Sequence, residues 1–145
     1  MTDDLENLKR NLESLQRFGR ALNDFDERAS MIISLHAALD RELGHVLERL
    51  VDAPEHLRRL GFGHKVDVVH ALVGEAFDYP ARVLIAFNEL RNSVGHADPS
   101  PKVSSLQDKV FEAFDSHPEI AEAGPVGDIR GVAAGMFGFM NGLGK

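Results

Sequence analysis

Residues 27–50 read ERASMIISLHAALDRELGHVLERL. Ile32, Ile33, Leu35, Leu39, Leu43, Val46, Leu47 and Leu50 recur there with a helical period, charges lying between them, and strand alternation is absent. The spacing predicts a long helix with a wide apolar stripe, opening near Phe25–Asp26. It stops before Ala53–Pro54, because proline disfavours helix in the residue ahead of it. Upstream, Leu5, Leu8, Leu12, Leu15, Phe18 and Leu22 recur at threes and fours, which predicts a separate first helix capped by Thr2 or Asp3.

The downstream chain continues in the same manner. A looser stretch from Pro54 ends in the breaker Gly61-Phe62-Gly63, and a third helix is expected from His64 to Ala76. Its inward residues are expected to be Val66, Val69, Ala71, Leu72 and Val73. Pro80 suits the first turn of a fourth helix, which carries Val83, Leu84, Ala86, Phe87, Leu90 and Val94 and ends at Gly95. A fifth helix covers about Val103 to Phe114. The fold class is therefore all-α: an antiparallel bundle of four to five helices over residues 1–122. Residues 123–145 form a glycine-rich apolar C-terminal segment. Gly131, Gly135, Gly138 and Gly142 fall on roughly one helical face there, and each weakens a helix by up to about 1 kcal/mol against alanine. This segment reads either as a weak helix packing on its own core or as a tail that binds a partner.

Bulk composition narrows the function. A chain of 145 residues favours one domain, and with no cysteine it holds no disulfide or thiolate chemistry. The acidic start MTDDLENLKR is unlike a signal peptide, and no apolar run reaches about 18 residues, so a cytoplasmic protein without a membrane span is expected. The net charge of −7 argues against broad, non-specific nucleic-acid binding. That charge is uneven. Residues 56–102 carry 6 Lys+Arg against 5 Asp+Glu, together with His56, His64, His70 and His96, so the middle repels a phosphate least.

The richest chemistry lies in that middle, at Asn88-Glu89-Leu90-Arg91-Asn92-Ser93-Val94-Gly95-His96-Ala97-Asp98. On an unbroken helix Arg91 and His96 point about 140° apart. Glycine tolerates the left-handed conformation that ends helices, so a turn at Gly95 would swing His96 back towards Arg91. Such a pair suits RNA phosphodiester cleavage. The guanidinium is a planar fork matched to phosphate oxygens, and the imidazole exchanges a proton near neutrality. Asn92 could hold the imidazole tautomer or a phosphate oxygen, and no metal is required if the ribose 2′-hydroxyl attacks. The same residues also make an ordinary helix end, where the dipole favours a histidine.

Arg91-Asn92-Ser93-Val94-Gly95-His96 resembles the arginine-x(4–6)-histidine motif of HEPN domains, in which a polar residue commonly follows the arginine. Leu39-Asp40-Arg41-Glu42-Leu43 in a long helix, and Gly61-Phe62-Gly63-His64-Lys65 opening the next, are also similar. The likeness covers roughly residues 28–115 and is greatest to small stand-alone proteins of the mannitol-operon-repressor-like (MltR-like) type. It implies a helical bundle that forms a homodimer, with both motifs facing a shared cleft. It further implies a metal-independent ribonuclease with Arg91 and His96 catalytic and Asn92 auxiliary, acting on RNA in toxin–antitoxin or defence systems. The repressor-like relatives imply the alternative, a non-catalytic regulatory or scaffolding module.

Other residues carry weaker signals. Lys65, after a glycine turn near a helix start, reads as a phosphate contact or as a solvated lysine. His36 and Asp40 lie one turn apart, too few for a metal site, and His36 reads as a core histidine satisfied by a hydrogen bond. His64 and His70 point different ways and form no site by themselves. No cofactor is expected, and no helix clusters arginine and lysine as a DNA-reading element does. A third reading is a toxin held by an antitoxin, or by another regulatory partner, docked on the glycine-rich tail or the acidic first helix.

Overall fold

Asn23-Asp24-Phe25-Asp26 does not separate two helices. The computed structural model describes residues 2–124 and 127–143, without the side chains of residues 2 and 21–26, and its first helix, α1, runs unbroken over Thr2–Leu50. The expected first and second helices are thus one element of 49 residues, about 74 Å long. The reason is local. No proline or glycine lies between Arg20 and Glu27, and asparagine or aspartate costs a helix interior well under 1 kcal/mol. The side chains of Thr2, a proposed cap, and of the stripe residue Leu22 lie outside what the structure describes, as does the tail residue Gly144.

The remaining helices are α2 (Phe62–Val73), α3 (Asp78–Gly95), α4 (Ser100–Asp115), α5 (Pro118–Ala123) and α6 (Ile129–Asn141). Tight 3-10 turns at Pro54–Leu57 and Gly74–Phe77 join α1 to α2 and α2 to α3. The described residues form six helices packed into a bundle, with no strand. None of these helices is long and apolar enough to cross a membrane.

The C-terminal half of α1 is the central post. It buries Ala29, Ile32, Leu39, Leu43, Val46 and Leu47, and α2, α3 and α6 pack around it. Helix α3 contributes Val83, Leu84, Phe87 and Leu90 to the same core, and α4 covers it from the other side with Val103, Val110 and Phe114. In α2 the inward residues are Phe62, Lys65, Val66 and Val69; Ala71 and Leu72, expected inside, are exposed. Helix α2 starts two residues before the expected His64, and this early start puts Phe62 on its buried face.

The glycine-rich segment packs on its own core. Ile129, Val132, Ala133, Met136 and Met140 of α6 join the single buried cluster. Arg49 of α1 donates to the Met140 and Leu143 carbonyls at the helix end (3.0 and 3.1 Å). Gly135 has a steric role: a β-carbon there would stand 2.7–2.8 Å from the Phe114 ring, so its absence sets how closely α6 approaches α4. Tyr79 ties α3 to α4 by donating to the Phe114 carbonyl. Its phenol is pushed up to about 12, first by burial and then by the charge of Asp115.

Candidate functional site at the close of the third helix

Helical period sorts the residues of α3 into faces. Asn88, Arg91 and Gly95 follow one another at i, i+3 and i+7, and this row faces α1, because His36 Nε2 of α1 donates to Asn88 Oδ1 (2.9 Å). Glu89, Asn92 and His96 form the next row, which is exposed. Asn92 and His96 are therefore neighbours one turn apart, and Arg91 stands half-buried beside them. Asn88 is the site residue that sequence reasoning left without a role. Its signal was the one-turn spacing to Arg91.

Gly95 does not turn the chain. It stays right-handed inside α3, and the left-handed residue is Ala97, at φ 54°. The helix ends in a Schellman motif: Ala97 N–H donates to Val94 O and Asp98 N–H to Ser93 O, both at 3.1 Å. The side chains lock the same residues. Ser93 Oγ donates to Asp98 Oδ2 (2.7 Å), and Lys102 Nζ reaches that oxygen at 3.0 Å. Ser93 first, then Lys102, and more weakly His96, hold the Asp98 carboxyl below the usual carboxylate range. This clamp fixes the turn two residues later than glycine placement suggested.

The role of Gly95 is instead steric. A β-carbon at Gly95 would collide with Arg91 Nη1, so the guanidinium lies folded across the last turn of α3, over the residue that precedes His96. His96 itself is the C-terminal cap, with its N–H donated to Asn92 O (2.9 Å) and its ring side exposed. The expected chain reversal is absent. The Arg91 guanidinium reaches the last turn because it lies over a position with no Cβ, while the Arg91 and His96 side chains leave α3 on different rows. No direct bond joins the two among the described residues.

Ala97 adopts its left-handed backbone against the steric cost of a Cβ, about 1–2 kcal/mol, whereas glycine costs about 0.5–1 kcal/mol in added chain entropy. Ala97→Gly is therefore expected to stabilise the protein by about 0.5–1 kcal/mol in urea unfolding. An unchanged or lowered midpoint would show that the alanine is unstrained there.

Lys65 is not a solvated lysine. It is 9% exposed, and its ammonium donates to Asp40 Oδ1 at 3.0 Å, which ties α2 to α1. Asp40 is thereby bound to Lys65, and the described residues hold no cluster of three metal-ligating side chains. His70 pairs with Asp78 across the 3-10 turn (2.5 Å).

His36 is the part-buried histidine its position on the apolar stripe suggested. Its ring lies against Phe62 (centroids 4.2 Å apart), and its nitrogen is satisfied by Asn88. Burial, more than any neighbouring group, holds it below the usual imidazole value; the Asn88 bond opposes this and the charge of Arg91 adds to it. The folded bundle thus binds this proton less readily than the unfolded chain, whose histidine titrates near 6.5. Stability from this group is complete above about pH 6.5 and drains as pH falls from there to the lower folded value. Thermal midpoints are expected to fall across that window, and His36→Gln, which can still donate to Asn88, should flatten the fall. Equal slopes in the two proteins would assign the effect to other groups.

Comparison of the chain with protein-family models, with curated proteins and with solved structures gave no match.

Proposed function

We propose that this chain is a HEPN-type, metal-independent endoribonuclease that works as a homodimer, in a toxin–antitoxin or defence setting. The observation that carries the reading is the close of α3, where exposed Asn92 and His96 lie one turn apart with the Arg91 guanidinium folded over Gly95 beside them. This end is an open surface rather than a closed pocket, as a polymer substrate needs. The sequence likeness of Arg91–His96 to the HEPN motif supports the same reading.

The chemistry needs one base, one acid and one anion stabiliser. The ribose 2′-hydroxyl attacks the adjacent phosphorus and the P–O bond to the 5′-oxygen breaks. His96 of one copy takes the hydroxyl proton. The protonated His96 of the second copy gives a proton to the leaving 5′-oxygen, and Arg91 stabilises the charge that grows on the phosphoryl oxygens. Products end in a 2′,3′-cyclic phosphate and a 5′-hydroxyl. The test is incubation of the purified dimer with varied RNAs in EDTA between pH 6 and 8, with end-group analysis. Intact RNA throughout, or cleavage only with added divalent metal, would sink the proposal.

A second reading, a non-catalytic regulatory or scaffolding module, is favoured by one observation: the first half of α1 exposes Leu5, Leu8, Leu12, Leu15 and Phe18, a surface suited to protein contact. On that reading the biological effect survives loss of His96.

A further inference from the structure

We infer that residues 3–20 of α1 form a parallel two-stranded coiled coil with a second copy of this chain. The C-terminal half of α1 is covered by its own bundle. Along residues 3–20, by contrast, no side chain is buried, and Leu5, Leu8, Leu12, Leu15 and Phe18 are 53–66% exposed. A lone helix of this length is marginal in water, and one showing a continuous apolar stripe needs a partner. The leucines fall on successive a and d positions of a heptad: Leu5 a, Leu8 d, Leu12 a, Leu15 d. Gly19 takes the next a position, with Phe18 flanking it at g. Such a seam buries on the order of 1,000 Å² between two copies, near the lower bound for a stable interface.

Charge selects the second copy and its direction. The protein carries −7 overall, yet residues 3–20 hold four acidic and four basic side chains, so self-association there meets no net repulsion. The positions flanking the seam are Asp4 and Asn11 at g, and Lys9 and Gln16 at e. In a parallel, in-register pair each g residue faces the e residue five further on in the other copy. Asp4 then meets Lys9 twice over, and Asn11 meets Gln16. An antiparallel pair matches e with e and g with g. With Leu8 packed on Leu12 it sets Lys9 against Lys9 and leaves Asp4 without a cation.

The helix leaves the bundle where Arg28 donates to Ser104 of α4 (3.1 Å), and α4 begins five residues after α3 ends. A parallel pair therefore sets the α3 ends of both copies on the same side of the dimer. The pairing itself stands whether or not that end cuts RNA.

The full chain is expected to run as a dimer by light scattering at tens of micromolar. Leu8→Glu with Leu12→Glu should weaken the dimer on the order of 100-fold or more while the core melts at an unchanged temperature. Because the chain has no cysteine, direction can be read by crosslinking: Leu8→Cys, at the seam, should oxidise to a covalent dimer, and Glu6→Cys, on the outer face, should not. A monomeric wild type, a mass above two chains, or a double-glutamate variant that stays dimeric through another face overturns the proposal. Equal crosslinking at positions 6 and 8 overturns it too.

Discussion

Replacing His96 by alanine is expected to lower RNA cleavage by about 10²- to 10⁴-fold, the range that general acid–base catalysis contributes. Folding should not notice. His96 contributes its backbone to the α3 cap, with N–H to Asn92 O, and its side chain is exposed. The Schellman turn that follows is held by Ser93, Asp98 and Lys102, which the substitution leaves in place. In the dimeric mechanism each copy supplies one imidazole, so mixed dimers of wild type and His96→Ala should lose nearly all activity in each active site built from both. Residual cleavage in proportion to the wild-type fraction would place both proton transfers within one copy. Arg91→Lys separates position from charge, since an ammonium keeps the charge and loses the planar fork. A variant with unimpaired cleavage, with contaminating nuclease excluded, would leave the non-catalytic reading standing.

The sequence made the helical content plain, because apolar residues at threes and fours over long stretches admit no strand. It was less informative where one residue decides a conformation. Asn23, Asp24 and Asp26 favour helix caps, yet nothing in that stretch forces an end, and the helix continues. Leu72 continues the apolar pattern of its helix, but the face it occupies meets no neighbour in the bundle. Arg91, Asn92 and His96 stood out as residue types, while the place each takes on α3 did not. Glycine is the usual left-handed terminator, so Gly95 drew that role; the turn belongs to Ala97 because the Ser93–Asp98–Lys102 clamp lies just beyond it. Long-range partners such as Asn88 for His36 and Asp40 for Lys65 depend on how helices pack, which a single sequence does not encode locally.

Asp40→Ala is expected to cost about 3 kcal/mol, near the low end for breaking a buried ion pair. The cost comes from the survivor. Lys65 is 9% exposed, so without Asp40 its ammonium is left inside with no partner, and its helix must shift outward to let water reach it. Asp40 is the more solvated member, its side chain 38% exposed against 11% for Lys65, which keeps the expected loss below the extreme for fully enclosed pairs. The reverse change behaves differently. Lys65→Met keeps the apolar stem volume that packs α2 against α1 and leaves behind only a carboxylate that water can reach, so its cost should be about 1 kcal/mol or less. The double variant Asp40→Ala, Lys65→Met should be more stable than Asp40→Ala alone, a rescue that appears only if the unpaired ammonium is the source of the damage. The same pair of variants bears on RNA cleavage. An ammonium occupied by Asp40 cannot steer a phosphate, so Lys65→Met should cleave RNA at the wild-type rate, and a large loss of activity with little loss of stability would return Lys65 to the substrate-binding role that its place near a helix start suggested.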